Sequence, residues 1–310
     1  MDKVVAEWIG AHVIEFLLIL SLVTLLLIFL LWRAIETYGD DLWRLGNRLW
    51  NYFKGLSYVQ YFHGRYPGVW QFVQGRLSPL GYLELYLAIG LIGGVIAFGL
   101  FGKIAVEVMA KEEIVQFDQM LAMSLHENYT PTEVSFFNFI TFFGGRTATV
   151  FIGLGTALVL VIRRRRLLLL SWAAAILGNS LLNAVLKAFF QRGRPEFNNP
   201  LLVETNWSFP SGHAMGSIVL YGMLTYLLIL SFKEQISKFI VTVMVLLILL
   251  IGFSRLYLGA HYFSDVMAGY GAGLGWLAIV ISGTEIARRH KRERSSSEAL
   301  LKVDSEAMPT

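Results

Sequence analysis

The chain alternates long apolar runs with short polar turns. Uninterrupted hydrophobic stretches lie at 13–32, 81–103, 147–162, 167–186, 213–232, 239–253 and 266–286, and a run of about twenty apolar residues crosses the hydrocarbon core of a bilayer as a helix. The pattern predicts seven membrane-spanning helices and leaves no soluble domain of useful size. The first run, Val13 to Trp32, has the position of a signal peptide but not its form. Lys3 is the only basic residue before it, and Trp32-Arg33 stands where a small-residue cleavage site belongs. It reads as a retained helix.

After the first span the pattern changes. Within 39–80, Leu42, Leu45, Leu49, Trp50 and Phe53 recur at helical spacing opposite Arg44, Asn47, Arg48, Asn51 and Lys54, the signature of a helix lying in the membrane interface. Tyr58, Tyr61, Tyr66, Trp70 and Phe72 add aromatic weight of the kind that collects at headgroup depth, a commoner cause than base stacking. The stretch 104–143 carries Glu112, Glu113, Asp118 and Pro131 and reads as an extramembrane loop with short helices. From Arg288 onward a basic cluster and Ser295-Ser296-Ser297 without apolar periodicity predict a disordered tail. The expected organisation is thus 1–80 as an N-terminal span with an interfacial amphipathic segment, 81–287 as a membrane domain, and 288–310 as a basic tail. Gly90/Gly94 and Gly271/Gly275 are spaced for close helix contact.

Composition agrees: of 310 residues 55% are hydrophobic and only 15% charged, far from a soluble balance. The fold class is all-α, a polytopic helix bundle. The net charge of +4 is modest and its Lys and Arg gather at the ends of apolar runs, so they set topology and give no nucleic-acid surface. Arg163-Arg164-Arg165-Arg166 should be cytoplasmic, with Lys233, Lys238 and the tail on the same side. That places the N-terminus and the chain near residues 187, 213, 254 and 265 outside. Cysteine is absent, which excludes disulfides and thiolate metal sites.

Four span ends on that outer side carry polar chemistry. Lys187 and Arg194-Pro195 follow the fourth span, Pro210-Ser211-Gly212-His213 opens the fifth, and Ser254-Arg255 leads through His261 to Asp265 at the sixth hairpin. His261 and Asp265 are four residues apart, which on a helix puts both on one face with the carboxylate able to orient the imidazole. Lys187, Arg194 and Arg255 are fixed cations suited to a phosphate, and a Ser-Gly helix start presents free backbone N–H groups to anions. Taken singly, each has a bland reading. Lys187 alone is more simply a residue snorkelling to headgroups, Arg192 a solvated loop charge, and Asn179 and Asn183 hydrogen-bonding groups between helices.

The ordered set Lys187…Arg194-Pro195, Pro210-Ser211-Gly212-His213 and Ser254-Arg255…His261…Asp265 resembles the three motifs of the type 2 phosphatidic acid phosphatase (PAP2) superfamily, at every defining position, with the resemblance extending over roughly 81–287. Phe263 departs from the proline that many relatives carry between the histidine and the aspartate. The resemblance implies a six-helix catalytic core, to which the first span and the 39–80 segment are additions. It implies His261 as the nucleophile forming a phosphohistidine, Asp265 as its orienting partner, and His213 as the acid for the leaving oxygen. Lys187, Arg194, Arg255, Ser211 and the Gly212 N–H would bind phosphate oxygens.

Three cations then stand where many phosphoryl-transfer enzymes use magnesium, with no metal or other cofactor expected. The substrate class so implied is a lipid phosphate or diphosphate, of the undecaprenyl diphosphate, phosphatidylglycerol phosphate or phosphatidic acid kind. Its headgroup would meet the site at the outer face of a bacterial plasma membrane. The other readings are a phosphotransferase of the same fold that passes the phosphoryl group to an alcohol, and a non-enzymatic lipid transporter, which should carry charges at mid-span instead of at span ends.

Overall fold

A computed structural model describes residues 2–67, 82–202 and 204–306. It is an all-α, multi-span membrane helix bundle. Its helices, in chain order, are α1 (Asp2–Ala11), α2 (Val13–Gly55), α3 (Ser57–Arg65), α4 (Tyr82–Ala110), α5 (Glu113–Glu127), α6 (Pro131–Phe142), α7 (Arg146–Ile162), α8 (Arg166–Phe190), α9 (Gly212–Ile229), α10 (Glu234–Tyr257) and α11 (Phe263–Glu306). Seven helical stretches among the described residues are long and apolar enough to cross a membrane. Large apolar side chains such as Phe151, Leu177 and Leu22 stay exposed on their outer faces, as expected where the solvent is lipid.

α9 is the axis of the bundle, packed on α8, α10 and α11 and touching α7. Its side chains Val219, Leu220 and Met223 form a core with Trp172 and Ala175 of α8, Ile251 of α10 and Leu277 of α11. α4 lies along α11, and there the sequence-predicted glycine contact is realised. A Cβ on Gly94 would sit 2.5 Å from Ala278 Cβ, and one on Gly271 would sit 2.8 Å from the Ala97 carbonyl oxygen. Small residues let the two backbones approach where no hydrophobic force drives helices together. Gly90 has open space around it and takes no part.

Three expectations are revised. The stretch after the first span is not a separate helix lying across its end: α2 continues unbroken to Gly55. At 1.5 Å per residue its 43 residues extend about 65 Å, roughly twice the hydrocarbon thickness. It contains no proline, only Gly39 and Gly46 inside it, and extending an existing helix avoids the nucleation cost. The Trp70 and Phe72 part of the interfacial reading lies outside the described residues. The tail beyond Arg288, expected to be disordered, continues α11 as helix to Glu306. It holds Glu, Lys, Arg, Ala and Leu with no Gly or Pro before Glu306, and helix propensity needs no apolar stripe once a helix is under way. Finally, 104–143 is mostly helix. α4 runs on to Ala110, and α6 forms an apolar lead into α7.

α6 starts at Pro131 because proline suits the first turn of a helix and Thr130 caps it, accepting from the Glu133 N–H at 3.3 Å while donating to Glu133 Oε2 at 2.9 Å. Tyr257 at the end of α10 donates to the same carboxylate at 2.6 Å, tying α6 to α10. On the same end of the bundle α1 packs against α5.

Candidate active site

The segments singled out in the sequence meet at this end. α8 closes at Phe190 with Gln191 in the left-handed conformation (φ 46°), and the chain crosses the bundle end to Ser211, which caps α9 and accepts from the Ala214 N–H at 3.4 Å. α10 ends two residues after Arg255, and Gly259 (φ +68°) turns the chain back toward α11. A side chain at Gly259 would also strike Phe197, 2.8 Å from the Cβ position, and Phe197 in turn stacks on His126 of α5 at 4.0 Å. The crossing segment is thereby pinned over the site.

His261 lies in that turn, before α11 begins, so it does not share a helical face with Asp265. The pair meets through an N-terminal cap instead: Asp265, third residue of α11, reaches back to accept from the Tyr262 N–H at 2.9 Å, the geometry of the capping box. His261 is buried, with Nδ1 3.4 Å from Asp265 Oδ2 and 3.2 Å from Ser208 Oγ. Ser208 also donates to Asp265 Oδ2. On the other side of the ring, Nε2 lies 3.3 Å from Arg194 Nη1. A guanidinium only donates, so this network assigns the proton to Nδ1 and the lone pair to Nε2. Burial, then the charges of Arg255, Arg194 and Lys187, push the His261 pKa well below its ordinary 6.5. The ring is neutral.

Arg192, expected to be solvated, is a mostly buried bridge. It donates to Asp265 Oδ1 at 2.6 Å, to Asp118 Oδ2 at 2.8 Å and to Ser264 Oγ at 2.7 Å, and its guanidinium packs 4.4 Å from the Tyr262 ring centroid. Burial works against its charge, but Asp265 and Asp118 outweigh that and raise its pKa. Asp118 itself is fully buried and receives both the N–H (2.9 Å) and the hydroxyl of Ser264. Neither residue belongs to a spacing pattern, so their pairing was invisible until α5 and the crossing segment were placed.

The three predicted phosphate-binding cations converge. Lys187, in the last turn of α8, donates to the Trp207 carbonyl. Arg194 donates from Nε to the Asn206 carbonyl at 2.7 Å and from Nη1 to the Ala260 carbonyl at 2.5 Å, and it also donates to Asn206 Oδ1. Arg255, 1% exposed, donates from Nη1 to Thr141 Oγ1 at 2.9 Å. Glu204, which no motif marked, joins two of them: Oε2 lies 2.7 Å from Arg194 Nη2 and Oε1 pairs with Arg255 Nη2. Burial favours a protonated Glu204, yet Arg255 and Arg194 prevail and hold its carboxyl below the usual range.

His213, second residue of α9, has the charges of Arg255, Arg194 and Lys187 around it. Its ring abuts the Gly144-Gly145 turn, where a Cβ on Gly144 would come within 3.2 Å of His213 Cδ2 and 2.4 Å of Ile251. Gly212 faces Asn183, whose amide donates to the Pro210 carbonyl at 3.4 Å, in line with its expected hydrogen-bonding role between elements. Among the described residues no group of three or more His, Asp or Glu is arranged to hold a metal ion.

The PAP2 superfamily model matches residues 167–288. The chain is 36% identical over 115 residues to phosphatidylglycerophosphatase B of Bacillus subtilis, a match spanning 36% of this chain and 56% of that protein's length. It is 28% identical over 189 residues to an undecaprenyl-diphosphatase of Sulfolobus acidocaldarius, covering 59% of this chain and 86% of the relative. The crystal structure of a transmembrane PAP2-type phosphatidylglycerolphosphate phosphatase from Bacillus subtilis superposes with a TM-score of 0.56 at 28% identity, over 62% of this chain and 96% of that one.

Proposed function

We propose, from the premise that this chain belongs to the PAP2 superfamily, that it hydrolyses a lipid phosphate monoester or diphosphate at headgroup depth without a metal. The observation that carries this reading is a neutral His261 whose Nε2 lone pair opens toward Arg194, beside the converging Lys187 and Arg255. His261 Nε2 attacks phosphorus, forming the N–P bond as the P–O bond to the lipid breaks. His213 gives a proton to the departing oxygen and later takes one from the water that hydrolyses the phosphohistidine. Asp265 orients His261 directly and through Ser208. Lys187, Arg194, Arg255 and the N–H groups at the start of α9, Gly212 among them, counter the charge on the equatorial oxygens. Ser211 holds that helix start in place.

The named relatives act on phosphatidylglycerophosphate and undecaprenyl diphosphate, and these head the list of candidate substrates. The site end faces away from the cytoplasm and the tail lies inside, a topology supported by Arg163–Arg166 at the opposite end of α7 and α8. α4 and α6–α11 form the six-span catalytic unit, and α2 is the added span.

Phosphate release from a panel of lipid mono- and diphosphates, in detergent with EDTA, tests the reading. Release by the wild type that disappears in His261→Ala is expected. A folded wild-type protein that releases none from any of them overturns it.

A further inference from the structure

One short segment of the crossing loop occupies all three cations. Lys187 is spent on the Trp207 carbonyl, Arg194 on Asn206, Trp207 and Glu204, and Arg255 on Glu204. The Glu204 carboxylate bridges the two guanidiniums much as two oxygens of a phosphate would. Meanwhile Arg255 Nε, buried, has no hydrogen-bond partner, so the carboxylate leaves unused a donor that a tetrahedral anion with more oxygens can reach. Buried donors left in that state are rare.

We infer that Glu204 is a specificity-determining residue, an internal counter-anion that a phosphate must displace from Arg194 and Arg255 before His261 can reach phosphorus. This inference rests on the phosphatase reading above for its substrate class. Its physical content is a difference in charge. A bulk phospholipid is a phosphodiester with one negative charge, and exchanging one monoanion for another gains little. A phosphomonoester dianion or a diphosphate brings more charge and more oxygens, including one for Arg255 Nε, and wins the exchange. In a membrane made of phosphodiesters, three fixed cations without an anion of their own would be filled by bystanders.

The test compares the purified full chain, wild type and Glu204→Gln, in detergent micelles. Inorganic phosphate binding is read by isothermal titration, and hydrolysis is read with and without phosphatidylglycerol as the phosphodiester competitor. Removing the carboxylate while keeping its volume should tighten phosphate binding about tenfold or more, the scale of one charge-assisted hydrogen bond. It should also turn phosphatidylglycerol from a spectator into a competitive inhibitor that raises KM and leaves kcat alone. A purely structural Glu204 would instead weaken phosphate binding on substitution, and equal or weaker binding in Glu204→Gln overturns the inference.

Glu204→Asp guards against a misfolded variant. Its shorter carboxylate cannot span both guanidiniums, so it should show a partial gain in phosphate affinity, and no gain counts against the inference in the same way. If neither protein hydrolyses lipid phosphates while Glu204→Gln still binds phosphate more tightly, the activity reading falls and the counter-anion stands.

Discussion

Ser208 stands between His261 and Asp265, and its hydroxyl closes a contact that the two side chains make only at 3.4 Å on their own. Ser208→Ala should therefore lower kcat by about ten- to a hundredfold with little change in KM, the range of one hydrogen bond to a charged group. His213→Gln should cost about 10²–10⁴ in kcat if it serves as the acid. Arg192→Ala strands Asp118 and part of Asp265. Breaking a buried pair from one side costs about 3–5 kcal/mol, so thermal unfolding should drop sharply, with Arg192→Lys recovering part of the loss. Acid acts in the same direction. His261 is held below 6.5 in the folded protein, so the unfolded chain binds the extra proton first, and stability falls as pH drops below about 6.5. Glu204, also held low, adds its loss further down, below its ordinary 4.5. Thermal unfolding from pH 7.5 to 5 checks the first slope, and His261→Gln should make it shallower, with His126, also held low by burial, still contributing. The residues that touch phosphate in this reading were legible because they sit at fixed spacings. Ser208, Arg192, Asp118 and Glu204 were not, since their partners, apart from the Arg194 that Glu204 pairs with, lie 51 to 146 residues away along the chain and only the folded crossing segment selects them.

At the scale of the helices, apolar periodicity located every span but misread what joins them. α2 and α11 run past their apolar windows because a polar sequence without proline continues a helix that lipid-facing residues have already begun. Phe263 explains itself at this scale too. It is the first residue of α11, where proline is favoured for its fixed φ, and its ring packs edge-on against Phe117 of α5 at 5.6 Å, a contact proline cannot make. The α4–α11 seam gives a clean pair of substitutions. Gly271→Ala puts a methyl 2.8 Å from the Ala97 carbonyl oxygen and should destabilise by about 1–3 kcal/mol. Gly99→Ala on α4, the other helix of the seam, meets nothing within 4 Å and should be neutral or stabilising by up to about 1 kcal/mol. Thermal unfolding in detergent distinguishes them.

For the molecule as a whole, the absence of cysteine makes topology directly measurable. In intact cells a membrane-impermeant maleimide should label Asn199→Cys in the crossing segment and leave Ser231→Cys, in the turn between α9 and α10, unlabelled until the membrane is opened. The reverse result would invert the orientation read from the arginine turn. The family model begins at residue 167, yet the charge balance of the site reaches back to α5, where Asp118 pairs with Arg192 and Ser264, the latter 146 residues further on. That separation sets an order of assembly. During synthesis Asp118 is delivered first and waits through four more spans, α6–α7, α8, α9 and α10 in turn, before α11 brings Ser264 to it. The pocket around His261 is thus completed only when α11 arrives, so a chain stalled before α11 carries its cations and His261 without the Asp265 that orients the ring.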